Sequence, residues 1–379
     1  MKKIRIALIG YNLMGRVHSR AYQDVKMFFS PPLIPVRNVI CGRQEQLLCD
    51  AQEKLEWHNF ETDWKTAIKR EDVDIIDICT PVYLHKDIAI SAAENGKHIL
   101  CEKPMAMNSN EAKEMLEAVE KNKLKHMVMF NYRRVPAIWL ARQIIQEGRI
   151  GEIYHFRAHY LQDWLIDKSF PIYWRLKKDE AGSGVSGDLG SHLIDLARFL
   201  VGEFKEVVGA DEIFVKEREI LDDVGERTGF MRKVDVDEAT AFISRFDNGA
   251  IGIFEVSRVA NGRKNYEYFE INGSRGSIIF NFERMNELQF FSREDPSHLQ
   301  GFKNILVTEK HHPFMNKWWH SGLVVGYEEP FVHSISDFLL SIHENTTPEP
   351  NFLDGLRTHQ VLDAVTKSIQ ERSWIAVEK

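Results

Sequence analysis

Cysteine is scarce in this chain of 379 residues: Cys41, Cys49, Cys79 and Cys101 are the only four. They form no C-x-x-C pair, which excludes a disulfide framework or zinc ribbon and leaves reduced, mostly buried thiols in a reducing compartment. An excess of basic charge is also missing. With 49 Lys and Arg against 56 Asp and Glu, the net charge is −7 and the pI is near 6.1, which argues against a nucleic-acid partner. No apolar run approaches the ~20 residues of a membrane span. The opening M-K-K-I-R-I-A-L-I-G is too short for a signal sequence and is interrupted by Arg5, so it reads as a first strand. A soluble, cytoplasmic protein without a membrane partner is expected. Internal repeats, low-complexity tracts and long linkers are absent as well. What is present is an average globular composition, 44% hydrophobic and 28% charged, at a length that suggests two or three domains.

The first part of the chain alternates short apolar runs with helical periodicity. Strand-like runs fall at 4–9, 36–41, 73–80, 98–101 and 127–130, and helical segments lie between them. Asn108 with Glu111 three residues later resembles a capping box. Strands apolar on both faces between helices imply a parallel sheet covered on both sides. Beyond a helix opened by Pro136 and closed by Gly148, a long strand is expected over 153–161 and a helix over 188–201. From 204 to 291 the pattern is one of long strands, with hairpin signals at Asn248-Gly249 and Asn272-Gly273. Two helices, near 331–343 and 353–373, close the chain. The expected fold is α/β: a doubly wound domain over 1–131, then an α+β domain over 132–379 with a mostly antiparallel sheet, whose terminal helices pack back toward the first domain. The absence of a linker predicts a shared interface and a cleft, a preferred place for ligands.

The first turn, G-Y-N-L-M-G from Gly10 to Gly15, is the dinucleotide fingerprint G-x-G-x-x-G with Asn12 at the middle glycine. Gly10 permits the tight turn, Gly15 lets helix and strand pack closely, and the helix expected from about Gly15 to Phe29, with Leu13 and Met14 in the turn before it, offers free N–H groups that suit a pyrophosphate. Asn12 is tolerable there because Asn visits left-handed conformations more readily than most residues. The second strand ends in Cys41-Gly42-Arg43 with no carboxylate for a ribose 2′-hydroxyl. That chemistry leans toward NADP or dual use, with Arg43 on a 2′-phosphate, stacked on adenine, or simply solvated. In C-E-K-P, Glu102 and Lys103 stand at the carboxyl end of a parallel strand, where ligands of open α/β sheets bind. A partly desolvated lysine there could serve as acid or base, and Pro104, if cis, would fix its direction.

In the second half, G-D-L-G-S-H-L-I-D puts Asp188, His192 and Asp195 on one face if the segment is helical. Three readings of it stay open: a proton-transfer pair that also binds hydroxyls, a helix cap by Asp188 with an incidental histidine, and a metal site. The last lacks a further ligand at recognisable spacing, so no metal is expected. Tyr160, Gln162, Asp163, Trp164, Trp174 and Arg175 surround this stretch with aromatic and planar polar groups of the kind found in carbohydrate sites.

Taken in order, G-Y-N-L-M-G-R-V-H, T-P-V-Y-L-H (Thr80 to His85), C-E-K-P and G-D-L-G-S-H-L-I-D resemble the glucose-fructose oxidoreductase and inositol dehydrogenase family, Gfo/Idh/MocA, along essentially the whole chain. The resemblance implies a Rossmann domain followed by an open-faced sheet domain that forms homodimers or homotetramers. It also implies an NAD or NADP cofactor and a sugar or polyol substrate. It matches Lys103, Asp188 and His192 to the catalytic set, and Thr80, Pro81 and His85 to the nicotinamide side. Tyr160 to Trp164, Trp174-Arg175 and the Ala181 run are similar to levoglucosan dehydrogenases and related sugar 3-dehydrogenases, a likeness that favours NAD against the Arg43 argument. The expected activity is oxidation of a secondary hydroxyl of a cyclic sugar, anhydrosugar or inositol, with His192 as base, Lys103 polarising the oxygen and Asp188 binding a neighbouring hydroxyl. The alternatives are an NAD-dependent glycosidase and a non-catalytic cofactor-binding regulator.

Overall fold

Each half of the chain follows from a different hydrophobic period. The computed structural model describes residues 2–222 and 225–379, which form two compact units: 1–134 with 325–357, and 135–324 with 358–379. In the first unit, β1 (Lys2–Ile9), β2 (Leu33–Cys41), β3 (Asn59–Glu61), β4 (Ile75–Ile78), β5 (His98–Cys101) and β6 (His126–Val128) make a parallel sheet of order β3-β2-β1-β4-β5-β6. Helices α1 (Leu13–Phe28), α2 (Glu45–Lys54), α3 (Trp64–Lys69), α4 (His85–Glu94) and α5 (Ser109–Lys121) supply its crossovers. Every residue of β4 is buried, as a central strand covered on both faces requires. Strand β2 begins three residues earlier than expected and includes Pro35. This is tolerated because β3 pairs only with Val39–Cys41, leaving the edge at Pro35 without a partner for the missing N–H. The capping box at α5 forms: Asn108 accepts from the Glu111 amide at 3.0 Å, and Glu111 reaches back to the Met107 amide at 3.1 Å.

The second unit opens with α6 (Pro136–Gln146). Strand β7 (Ile153–Leu161) then alternates buried and less buried residues, the period of a sheet with one covered face. After α7 (Lys178–Ala181), a π-helical turn over Ser186–Gly190 leads into α8 (Ser191–Leu200). Strands β8 (Phe204–Glu212), β11 (Ala239–Phe246), β12 (Ile251–Ser257), β13 (Tyr266–Gly273), β14 (Gly276–Asn281), β15 (Glu287–Ser292), β16 (Lys303–Leu306) and β17 (Ile375–Ala376) join β7 in one sheet of order β16-β15-β14-β13-β7-β12-β11-β8-β17. β9 (Glu217–Leu221) and β10 (Arg227–Lys233) pair separately. The sheet is antiparallel except where β12 runs parallel to β7. Asn248-Gly249 turns the β11–β12 hairpin as expected. Asn272-Gly273 instead ends β13, with Asn272 paired to Ser277, and the turn falls on Ser274 and Arg275. A side chain at position 273 would collide with the Ile150 carbonyl, so this glycine answers to packing.

The chain then returns to the first unit with α9 (Glu329–Glu344), whose Phe331 ring lies 5.6 Å from that of His18 on α1. His333 donates from Nδ1 to the Arg134 carbonyl at 2.8 Å, and Arg133 pairs with Asp354 at 3.0 Å. The first unit therefore includes 325–357 rather than ending near 131. α10 (Phe352–Glu371) begins in it and ends in the second unit.

Candidate functional site

At the end of β1, Gly10 has φ +106°, where a Cβ would meet the Cys79 carbonyl, and a Cβ on Gly15 would meet the carbonyl of Gly10. Asn12 precedes α1 with φ −73° and ψ −153°. It is extended, so the left-handed tolerance expected of Asn is not used; the middle position needs only a small, uncapping residue. Its side chain makes no cap hydrogen bond and the first turn carries no acid, leaving the N–H groups of this exposed turn, where Leu13 is 70% exposed, open to an anion. Tyr11 lies against Gly42, and Arg43 beyond it is exposed. At the next crossover, Thr80 Oγ1 is buried with no hydrogen-bond partner among the described residues, and Pro81 is half-buried beside it.

Two expected cofactor contacts have other work. His85 is buried with Nε2 2.9 Å from the Thr80 carbonyl and Nδ1 3.1 Å from that of Pro104, so it clamps the two loops together instead of facing a ligand. Burial lowers its pKa. Glu102, also buried, accepts the Lys103 amide at 3.0 Å through Oε2 and contacts His18 Nε2 at 3.0 Å through Oε1. Lys103 is half-buried, and its bond to Pro104 is cis.

In the second unit the π-helical turn presents Asp188, and His192 follows on the first turn of α8. A π turn widens the spacing that simple helical periodicity assumes, and such turns recur at functional sites. Asp237 anchors it by accepting from the Gly184 and Ser186 amides at 2.8 and 2.7 Å. Asp188 accepts from Arg258 at 2.7 Å and from Arg175 at 3.4 Å, an arrangement that favours the carboxylate and makes Asp188 an acceptor rather than a simple helix cap. The Tyr160 ring is 6.1 Å from that of His192, and the Arg175 guanidinium stacks 4.6 Å from the Trp174 ring. Tyr160 and Gln162 both donate to Asn265, at 2.8 and 2.7 Å, while Trp164 donates to Gln162 at 2.8 Å. The expected set thus gathers around the π turn. Asp163 does not join it: its carboxylate accepts from Lys264 and the Gly262 amide.

Residues 4–130 match the oxidoreductase family, NAD-binding Rossmann fold, and residues 138–279 match the GFO/IDH/MocA C-terminal domain. The chain belongs to the Gfo/Idh/MocA oxidoreductase family. A levoglucosan dehydrogenase of Pseudarthrobacter phenanthrenivorans is 42% identical over 386 residues, spanning 100% of this chain and 99% of that protein. An oxidoreductase domain protein of Kribbella flavida shares 45% identity with a TM-score of 0.96, and a levoglucosan dehydrogenase solved with NADH and levoglucosan shares 41% with a TM-score of 0.95, each over 100% of both chains. This Gfo/Idh/MocA protein is accordingly an oxidoreductase with an NAD-binding Rossmann domain. Its own residues fit that cofactor: the glycine cradle, the uncapped turn of α1 and the orphaned Thr80 hydroxyl supply donors where phosphates and a polar ring substituent would need them.

Sequence reasoning did not single out Arg258, Asn265, His18 or Asp77. Arg258 follows β12 directly, on the buried side marked by Phe254 and Val256, and a charge at the end of such an inward row is a readable signal. The other three depend on partners far away in the chain.

Proposed function

We propose that this protein is an NAD-dependent dehydrogenase of anhydrosugars of the levoglucosan type, oxidising one secondary ring hydroxyl to a ketone. The observation that carries the reading is the set around the π turn, Asp188 held by two arginines beside His192 and flanked by Tyr160, Trp164 and Trp174, in a chain matched end to end by levoglucosan dehydrogenases. Bound NAD supplies the hydride acceptor. Gly10, Leu13, Met14, Gly15 and Gly42 would hold the phosphates and ribose of NAD, and Thr80 and Pro81 would contribute to the nicotinamide side. His192 takes the proton of the reacting hydroxyl, and Lys103 supplies a cation for the negative charge that develops in the reaction. Asp188, kept as an acceptor by Arg258 and Arg175, orients a neighbouring hydroxyl. The indole faces of Trp164 and Trp174 exclude water from the sugar ring. Four unpaired thiols suit a reducing, cytoplasmic setting. Ile243, Ile251 and Ile253, exposed on the outer face of the large sheet, suit self-association through that face.

The test is absorbance of reduced nicotinamide with NAD or NADP and a panel of anhydrosugars, inositols, free sugars and glycosides. NADH formed with levoglucosan is the expected result. Release of free sugar from a glycoside without net NADH, or cofactor binding without turnover of any substrate, would overturn the reading.

A further inference from the structure

Beneath the Lys103 turn lies a charged cluster that the reaction does not use directly. His18, on α1, is fully buried, and both ring nitrogens face carboxylates: Nδ1 lies 3.0 and 2.9 Å from the two Asp77 oxygens, and Nε2 lies 3.0 Å from Glu102 Oε1. A neutral imidazole has one N–H and one lone pair, and a lone pair aimed at a buried carboxylate repels it. The arrangement is satisfied when both nitrogens carry protons. The remaining acceptor positions on Asp77 are taken by Tyr22 Oη at 2.9 Å and Cys79 Sγ at 3.7 Å.

We propose that His18 is a positioning residue for the reaction, donating from both ring nitrogens to Asp77 and Glu102 and, through Glu102, fixing the backbone of Lys103. The route is short. Glu102 Oε1 meets His18, and its other oxygen accepts the Lys103 amide at 3.0 Å, while the Glu102 amide is tied to the Ile78 carbonyl at 2.9 Å. One imidazole thus joins the helix that opens at the nucleotide turn, the end of β4 and the residue that carries the reactive lysine.

The surroundings favour the doubly protonated ring. Burial alone would push the His18 pKa down, but Asp77 and Cys79 together outweigh it and the net shift is well upward. The groups facing it are Asp77 from β4, Cys79 just beyond that strand, Cys101 at the end of β5, Glu102 just beyond it, Tyr22 on α1 and the uncharged Phe331 ring from α9. Tyr22 and Cys79 are themselves raised, by burial first, and remain protonated donors.

His18, Asp77 and Cys79 are also the one group of metal-ligating side chains that lie close together among the described residues. Donors and acceptors there already saturate one another without an ion. The inference rests on the dehydrogenase reading for its kinetic arm only; its spectroscopic arm does not.

In the wild-type protein, imidazole nitrogen NMR is expected to show one histidine still protonated on both nitrogens at pH 7, and that signal should vanish in His18→Gln. A neutral His18 at pH 7, or one zinc ion per chain in the purified protein, would overturn the proposal. His18→Gln is expected to lower kcat by ~10-fold or more with sugar KM and NAD Kd changed by less than about 3-fold. Adding Asp77→Asn to His18→Gln removes one uncompensated buried charge and should restore the melting temperature while kcat stays low, because no imidazole joins Glu102 to the end of β4. Recovery of kcat together with the melting temperature would mean that His18 serves folding alone and would overturn the proposal. Absence of turnover in the wild type defeats the dehydrogenase reading, with the NMR result still deciding the state of His18.

Discussion

In the first unit the groups offered to a ligand are mostly backbone N–H groups, uncovered because Gly10 and Gly15 lack side chains and because the first turn of α1 has no cap. In the second they are side chains, with Asp188 held between Arg258 and Arg175 on a π turn that Asp237 anchors. Backbone donors suit a part common to many substrates' reactions, since they recognise charge and shape without depending on residue type. Side-chain donors and aromatic faces suit the part that varies. Buried ionisable groups occur in both: the first unit carries the His18 cluster, several neutral buried histidines and the Arg133–Asp354 pair, and the second carries the Arg218–Glu238 pair, fully buried at 3.1 Å.

The largest expected difference is in response to acid. In the first unit, burial pushes His126 down to about 4 and His333 down to about 3, from an ordinary value of 6.5. His126 Nδ1 accepts from the Phe352 amide at 3.0 Å and cannot do so once protonated. The unfolded chain binds a proton at each before the folded one does. Their contribution is therefore complete above about pH 6.5 and drains away as the pH falls toward about 4 for His126 and about 3 for His333, on the order of 3 and 5 kcal/mol respectively. His18, raised rather than lowered, contributes below 6.5 and loses its part only as the pH rises through its folded value. In the second unit His159 is also lowered, by burial first, but it is only half-buried and stacks between Tyr266 and Tyr268. Amide exchange at pH 7 and pH 4.5 should therefore show protection lost first in 2–134 and 325–357. Equal loss in both units would break the contrast.

Next come His192, proposed as the base, and Lys103, proposed to stabilise the developing charge. Lys103→Ala and His192→Ala should each lower kcat by ~10² or more if they act in acid–base chemistry, with melting temperatures close to the parent. Full turnover in both variants would remove the catalytic assignment.

Much of this was readable in advance, and the failures have physical causes. Strands β5 and β7 fall where their apolar patterns end, and Asn108 caps α5 as its spacing with Glu111 requires, because these features depend on near neighbours in the chain. The G-x-x-x-x-G turn and the Asp188–His192 stretch were legible as chemistry. The π turn was not, since one altered hydrogen-bond spacing leaves no trace in hydrophobic period. Nor could the sequence place His85 between two carbonyls, or His18 between Asp77 and Glu102, pairings 59 and 84 residues apart. Buried polar partners of that separation are set by the register of parallel strands, which local pattern does not specify.

Gly10→Ala and Arg258→Met test the backbone and side-chain strategies against each other. An alanine at φ +106° is strained and drives its Cβ into the Cys79 carbonyl, so NAD Kd should rise by ~10-fold or more. Arg258 is 1% exposed and makes the short bond to Asp188 at 2.7 Å, against 3.4 Å for Arg175. Its replacement should raise sugar KM by roughly 10-fold with NAD Kd within about 2-fold. Titration by intrinsic fluorescence for NAD, beside steady-state kinetics for the sugar, separates the two. A variant that moves both ligands equally would argue against the division.

The smallest effect is expected at Arg43, the one side chain near the nucleotide turn that the sequence pointed to as a phosphate partner. It is exposed, and Gly42 before it is covered by Tyr11 and tied by its amide to the Glu61 carbonyl at 3.2 Å. Glu61 pairs through its side chain with Arg70 at 2.8 Å, and among the described residues no ion pair holds Arg43 in place. A long, exposed guanidinium with no fixed geometry adds little to binding of a ligand already held by backbone donors. Arg43→Ala should therefore change NAD Kd by no more than about 3-fold, while any NADP-dependent turnover falls further because a 2′-phosphate would lose the cation that follows β2. Measuring both cofactors in the same variant makes the ratio, rather than either constant, the deciding quantity: an equal loss with NAD and NADP would show that the first unit depends on a side chain where backbone donors were expected to suffice.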